Sequence, residues 1–305
     1  MVSSAIYVSC DSARGVLSLW ACCDVPQLSQ LSEVLEQLHQ CVGELCGERH
    51  VQLVRAVLAC SWHHLPEPAL LRYFALVVLL ATTQPHSATD AIKVLVHALQ
   101  FVAEPDPLQE EPFAGDLTAE ERRIHALSVQ SLVAILSVIP MAQEPLLQTI
   151  QQRTPYLKKS ARSQAAFFSS LLQLGALLPA ARLSLLRLVY QRLVRLDLLC
   201  PRDQLTAAAG PAAEDQQQQQ QEQQQQEQEM AEQGTEGATP SEVPGEALAL
   251  DAIMAVTLRH MEGVCYPSGA GQLDWTATKQ LYADLIKVSG SGAPEQRGAA
   301  GEQRN

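Results

Sequence analysis

Residues 139–199 read IPMAQEPLLQTIQQRTPYLKKSARSQAAFFSSLLQLGALLPAARLSLLRLVYQRLVRLDLL. Thr154-Pro155 has the form of an N-cap followed by proline at the first helical position, where a missing N–H costs nothing. This predicts a helix from Pro155 to Leu178. At 100° per residue, Leu157, Ala161, Phe168, Leu171, Leu172, Leu174 and Leu178 share one broad face, opposite Lys158, Lys159, Arg162, Ser169, Ser170 and Gln173. Pro179 opens a second helix with a buried stripe of Leu186, Val189, Leu193 and Leu196. Its exposed stripe is Ser184, Arg187, Gln191 and Arg195. The two read as an antiparallel pair with a basic outer surface.

Ser137-Val138-Ile139-Pro140 and Ala176-Leu177-Leu178-Pro179 both end an apolar helix at a proline, 39 residues apart. A period near 40 with one helix pair per unit belongs to HEAT-type solenoids. Upstream, apolar 3–4 spacing places helices at about 26–42, 48–61, 67–83 and 87–102. No strand alternation appears. Leucine and alanine are plentiful and aromatics make up only 5% of the chain, as helix-on-helix packing prefers. The expected fold is all-α: a HEAT-repeat-like α-solenoid of antiparallel helix pairs with two disordered insertions.

Those insertions stand out by composition. Glu104 to Glu121 holds seven acids, three prolines and no base, which reads as an acidic loop over 103–117. Residues 200–244 are low in complexity and rich in Gln and Glu, too polar to offset their chain entropy. The organisation expected is a poorly ordered 1–25, helical repeats over 26–199, a disordered linker over 200–244, a further helix pair over 245–287 and a disordered tail over 288–305. The longest apolar run, Phe74–Ala81, is too short to cross a bilayer, and Asp11 and Arg14 interrupt any leader-like core. No membrane association is expected, and the chain reads as soluble and intracellular.

Charge is segregated. Arg153, Lys158, Lys159, Arg162, Arg182, Arg187, Arg192, Arg195 and Arg202 face a single acid, Asp197, within a chain of net charge −12. Such segregation marks a docking surface. An acidic protein partner and nucleic acid are the two candidates, with a generic interaction scaffold as a third reading. Nine cations would neutralise several phosphates. Against nucleic acid stand the strongly acidic remainder and the expected lack of exposed aromatics among the basic residues.

Catalytic and metal chemistry find little support. There is no phosphate-cradling GxxxxGK[ST] and no GxSxG elbow, and the paired carboxylates sit in loops, where nothing shifts their pKa. Cys60 with His63 or His64 has ligand-like spacing, but no second pair stands at a zinc-finger distance. The eight cysteines read as reduced thiols, and Trp62, Tyr266 and Tyr282 as packing anchors. No cofactor, metal or small-molecule substrate is expected.

LVRAVLACSW at 53–62, TPYLKKSAR at 154–162, LLRLVYQRLVRLDLL at 185–199, MEGVCYPSG at 261–269 and TKQLYADLI at 278–286 are collinear blocks. Together they resemble the amino-terminal half of the RNA polymerase I-specific transcription initiation factor family (TIF-IA type). The resemblance implies a non-enzymatic HEAT-repeat factor of the nucleus and nucleolus. Such a factor binds RNA polymerase I and joins it to the promoter-bound core initiation factor at ribosomal RNA genes. On that footing Lys158, Lys159, Arg162, Arg187, Gln191 and Arg195 are the candidate partner-binding residues. Because recruitment in the family is controlled by phosphorylation, Ser169 and Ser170 are candidate phosphorylation sites. Family members continue past the last block with further helical repeats, so the expectation is a shortened member or a partial gene product.

Overall fold

The computed structural model describes residues 27–45, 50–103, 117–200, 245–267 and 271–290. The disorder expected of 1–25, 103–117, 200–244 and the tail falls outside these residues, apart from edge positions. Ten α-helices lie among the described residues: α1 Gln27–Cys41, α2 Val51–Leu58, α3 Glu67–Thr83, α4 Ala88–Ala98, α5 Ala119–Val138, α6 Gln143–Gln152, α7 Ala161–Leu177, α8 Pro179–Leu199, α9 Gly245–Cys265 and α10 Trp275–Gly290. The described residues contain no strand. None of these helices is long and apolar enough to cross a membrane.

The odd-numbered helices form one layer, in which α1 packs on α3, α3 on α5, α5 on α7 and α7 on α9. The even-numbered helices form the second, α2 on α4, α4 on α6, α6 on α8 and α8 on α10. Stacked helix pairs of this kind are a solenoid, and one continuous apolar core runs between the layers from Leu35 to Val288. Fully buried aromatic pairs anchor two of the repeats. Tyr73 meets Phe74 edge-on in α3, and Phe167 meets Phe168 edge-on in α7.

The repeat is visible in three proline corners, not two. Gln84, Ile139 and Leu178 precede Pro85, Pro140 and Pro179, with φ/ψ of −127/86, −124/77 and −120/83. Proline keeps the preceding residue out of the helical region, so α3, α5 and α7 stop there. In each corner that residue's N–H closes on the carbonyl four back: Gln84 on Leu80, Ile139 on Ile135, Leu178 on Leu174. Two residues past each proline a small side chain is buried, Ser87, Ala142 or Ala181. The first corner was hidden because the 104–117 stretch lengthens the interval between Pro85 and Pro140.

An ionic ladder links the first layer. Arg72 of α3 reaches Glu36 of α1 at 3.4 Å, Arg123 of α5 reaches Glu67 of α3, and Arg162 of α7 reaches Glu121 of α5 at 2.7 Å. Only the last is buried. Glu121 therefore does not belong to the acidic loop. It is the third residue of a capping box with Thr118 and opens α5.

Helix α7 starts six residues later than the Thr154-Pro155 signal predicts. The Thr154 hydroxyl donates back to the Ile150 carbonyl and finishes α6, and the Pro155 carbonyl is taken by Arg192. The amide of the buried Gln164 then donates to the Leu157 and Lys159 carbonyls, holding 155–160 as a loop. Ser160 caps α7 through the Ser163 N–H. At the other end α10 continues to Gly290, past the expected limit at Lys287.

Candidate functional site

Three of the nine clustered cations are spent inside the fold. Arg192 is buried; its Nε and Nη2 donate to Gln164 Oε1 at 3.0 and 2.6 Å, Nη2 also donates to the Pro155 carbonyl, and the guanidinium lies over the Phe168 ring. Burial and the nearby Arg195 charge lower the Arg192 pKa. Arg182 reaches Asp284 of α10 at 3.1 Å. The Arg162 side chain is only 14% exposed and is committed to Glu121. Arg162 is thus a tie between repeats rather than part of an outer basic face.

Of the other predicted residues, Arg187, Gln191 and Arg195 share one side of α8, and Lys158 and Lys159 lie in the loop before α7. Arg192 fastens Pro155, the start of the 155–160 loop, to α8; Lys158 and Lys159 are exposed in that loop, and Lys159 lines a recess with His97 and Arg153. Arg187, Gln191 and Arg195 follow at i, i+4 and i+8 on the outer side of α8, Gln191 and Arg195 exposed and Arg187 half-buried. The Arg187 Nε is buried with no hydrogen-bond partner. Tyr190, Val194 and Leu198 occupy the same outer arc, and Leu198 is 78% exposed. The face is mixed, two guanidiniums among three apolar side chains, and Tyr156 is exposed in the adjacent loop. Sequence reasoning missed Tyr190, Val194 and Leu198, and with them the aromatics among the cations. The available signal was their own i, i+4, i+8 spacing beside the basic stripe.

The two serines part company. Ser169 is half-buried at the edge of α7. Ser170 is 1% exposed and lies in the seam with α5, its Oγ 2.7 Å from His125 Nδ1 and 3.1 Å from the Ala166 carbonyl. A kinase cannot reach it without opening the α5–α7 packing, because α7 is covered by neighbours on more sides than a single apolar stripe implies. The His125 Nε2–H donates to the Phe101 carbonyl at 2.7 Å, and burial holds the His125 pKa below the usual imidazole range.

Trp62 is buried as expected, stacked on His63 at 4.1 Å and edge-on to Phe74 and Phe101. Tyr282 is not a packing anchor: it is 66% exposed on α10, and Tyr266 is also exposed. Among the described residues no three His, Cys, Asp or Glu side chains stand together as a metal site.

The family model of the RNA polymerase I specific transcription initiation factor RRN3 matches residues 20–289. A mouse protein, RNA polymerase I-specific transcription initiation factor RRN3, is 23% identical over 247 residues, covering 78% of this chain and 37% of the mouse protein. The crystal structure of RNA polymerase I transcription initiation factor Rrn3 superposes with a TM-score of 0.63 at 14% identity, over 93% of this chain and 49% of that one. The chain spans half the length of these relatives or less. The solenoid of helix pairs, the family match across nearly the whole chain and the shared fold agree: the chain belongs to the RRN3 family of RNA polymerase I specific transcription initiation factors.

Proposed function

We propose that the chain acts in RNA polymerase I initiation by docking on the polymerase through the outer face of α8 and the loop before α7. Lys158, Lys159, Arg187, Gln191 and Arg195 supply the polar part of the contact, and Tyr190, Val194 and Leu198 the apolar part. The observation that carries this reading is the mixed composition of that arc. Guanidiniums and aromatics beside aliphatic side chains suit a protein surface, where desolvated apolar contact adds to charge complementarity. Two aliphatic side chains have little to offer a phosphate backbone, and the chain's net charge of −12 opposes a duplex. We further propose that the chain bridges the polymerase to the promoter-bound core factor and works in the nucleus and nucleolus, a reading supported by its membership of a family of initiation factors specific to RNA polymerase I. No catalytic step is assigned to the chain.

The test is capture of purified RNA polymerase I by the immobilised chain across a salt series, beside capture of ribosomal promoter DNA. Polymerase retained at moderate salt, with DNA lost, supports the docking face. DNA retained in preference to polymerase overturns it.

A further inference from the structure

Between the loop before α7 and the end of α4 lies a half-open recess of about 310 Å³, lined by His97, Gln100, Arg153, Tyr156, Lys159 and Ser163 among others. Across His97 and Arg153 it runs into a second recess of about 330 Å³ beside His63 and Lys93. Among the described residues no carboxylate lines either one. Lys93 is already paired with Asp90 at 2.9 Å. Arg153 and Lys159, by contrast, have no carboxylate partner among the described residues.

Arg153 is also held in place. Its N–H closes on the Thr149 carbonyl at the end of α6, and its own carbonyl accepts the Gln100 side-chain amide from the end of α4. The backbone beneath the guanidinium is therefore pinned to two repeats at once. The groove presents a planar fork of donors, an ammonium, a phenol and a serine hydroxyl around one small volume. That set exceeds what a single carboxylate accepts and matches the three oxygens and double charge of a phosphomonoester.

We propose that this groove is a binding site for a phosphomonoester, carried as phosphoserine or phosphothreonine on a segment of a partner protein. Arg153 supplies the bidentate contact and Lys159 the second charge, with Tyr156 and Ser163 donating to the remaining oxygens. A nucleic-acid strand is the poorer occupant, because the acidic remainder of the chain repels a polyanion. His97 is the built-in reporter. Burial and the Arg153 charge lower its pKa, so it is neutral at pH 7 while the groove is empty, and a dianion settling between it and Arg153 reverses that influence. The charged or titratable groups that line the two recesses with it are Arg153, Tyr156 and Lys159 in the first and Cys60, His63 and Lys93 in the second. The site does not depend on the polymerase reading, since the isolated chain is enough to test it.

The full chain is titrated with a short phosphoserine peptide, and with its serine and glutamate counterparts at matched ionic strength, while the His97 imidazole resonances are followed. The expected result is a saturable displacement and a raised His97 pKa with the phosphopeptide alone. Arg153→Gln with Lys159→Gln should weaken binding by about tenfold or more, the loss of charge-assisted contacts, with an unchanged melting temperature. If that pair does not fold, Lys159→Glu alone carries the comparison. An equal response to the glutamate peptide overturns the proposal, as does undiminished affinity in the folded variant or tighter binding of a short oligothymidylate in the same groove.

Discussion

Glu121 Oε2 accepts the Arg162 Nη2–H at 2.7 Å, and the carboxylate is wholly shielded from solvent. The same oxygen accepts the Thr118 N–H at 2.7 Å, and Oε1 accepts the Ala103 N–H at 2.8 Å. One carboxylate thus joins the two ends of the 104–117 stretch and ties them to α7. Removing the guanidinium leaves a buried charge with its two backbone N–H donors and no counter-ion. Arg162→Met should therefore cost about 3–5 kcal/mol, the penalty for breaking a buried pair, where a surface arginine would cost under about 0.5 kcal/mol. Urea unfolding of the full chain decides between the two.

Arg192 makes an independent case. It joins α8 to Gln164 of α7 and to the Pro155 carbonyl, and it sits on Phe168. Lysine keeps the charge but not the planar fork or the stacking. Arg192→Lys should lose about 1.5–3 kcal/mol of stability, the range for hydrogen bonds to charged groups. It should also release the loop that carries Lys158 and Lys159. Protease cleavage after those lysines, compared with the parent chain, reads the second effect directly.

A third expectation concerns acid. Burial holds His125, His97 and His260 below the ordinary imidazole value of about 6.5. In the unfolded chain these groups protonate as pH falls through that value, while the folded forms stay neutral until lower pH. Stability is therefore full above about pH 6.5 and drops as pH falls toward the depressed folded values. The His125 Nε2–H is fixed by the Phe101 carbonyl, so the neutral ring must accept the Ser170 hydroxyl proton at Nδ1. A proton at Nδ1 would turn that hydroxyl toward Ala166. Melting temperatures of the parent should fall between pH 7.5 and 5.5, and those of His125→Gln should fall less steeply even if lower throughout.

Ser169 and Ser170 give opposite expectations. Ser170→Asp places a carboxylate in the α5–α7 seam beside the Ala166 carbonyl, and should cost several kcal/mol or prevent folding. Ser169→Asp should leave the melting transition within about 0.5 kcal/mol of the parent. Mass spectrometry of the folded chain after kinase treatment should find phosphate on Ser169 but not on Ser170.

The solenoid could be read from local signals: apolar spacing at 3–4 residues, proline stops at Pro140 and Pro179, and breaks between helices. Each lies within one or two turns of the chain. The fate of the cations could not be read that way. Arg162 meets Glu121 across 41 residues, Arg192 meets Gln164 across 28, and Arg182 meets an aspartate beyond the 200–244 stretch. Periodicity places Arg162 on the same side of α7 as Ser169 and the exposed Gln173, but it could not show the buried Glu121 that draws the guanidinium in, nor the claim of Arg192 on Pro155 that leaves Ser160 to cap the helix. Arg187, Gln191 and Arg195 share a side of α8 through their i, i+4, i+8 spacing alone, which needs no distant partner to be read.

The α8 face itself supplies the last expectation. Tyr190, Val194 and Leu198 are 40%, 39% and 78% exposed and lie outside the apolar core, so replacing Tyr190 and Val194 with Ser should cost less than the about 2–5 kcal/mol of a core truncation. At a protein interface the same change removes a central apolar contact, and truncations of that kind cost about 2 kcal/mol or more in affinity. Arg187→Gln with Arg195→Gln should act differently, slowing association and flattening the salt dependence while shifting dissociation less. Surface plasmon resonance of the two folded variants against RNA polymerase I separates these contributions. If the serine variant binds like the parent while the glutamine variant fails, the contact is electrostatic alone and the apolar half of the proposed face is wrong. If both bind like the parent, the polymerase docks elsewhere on the solenoid.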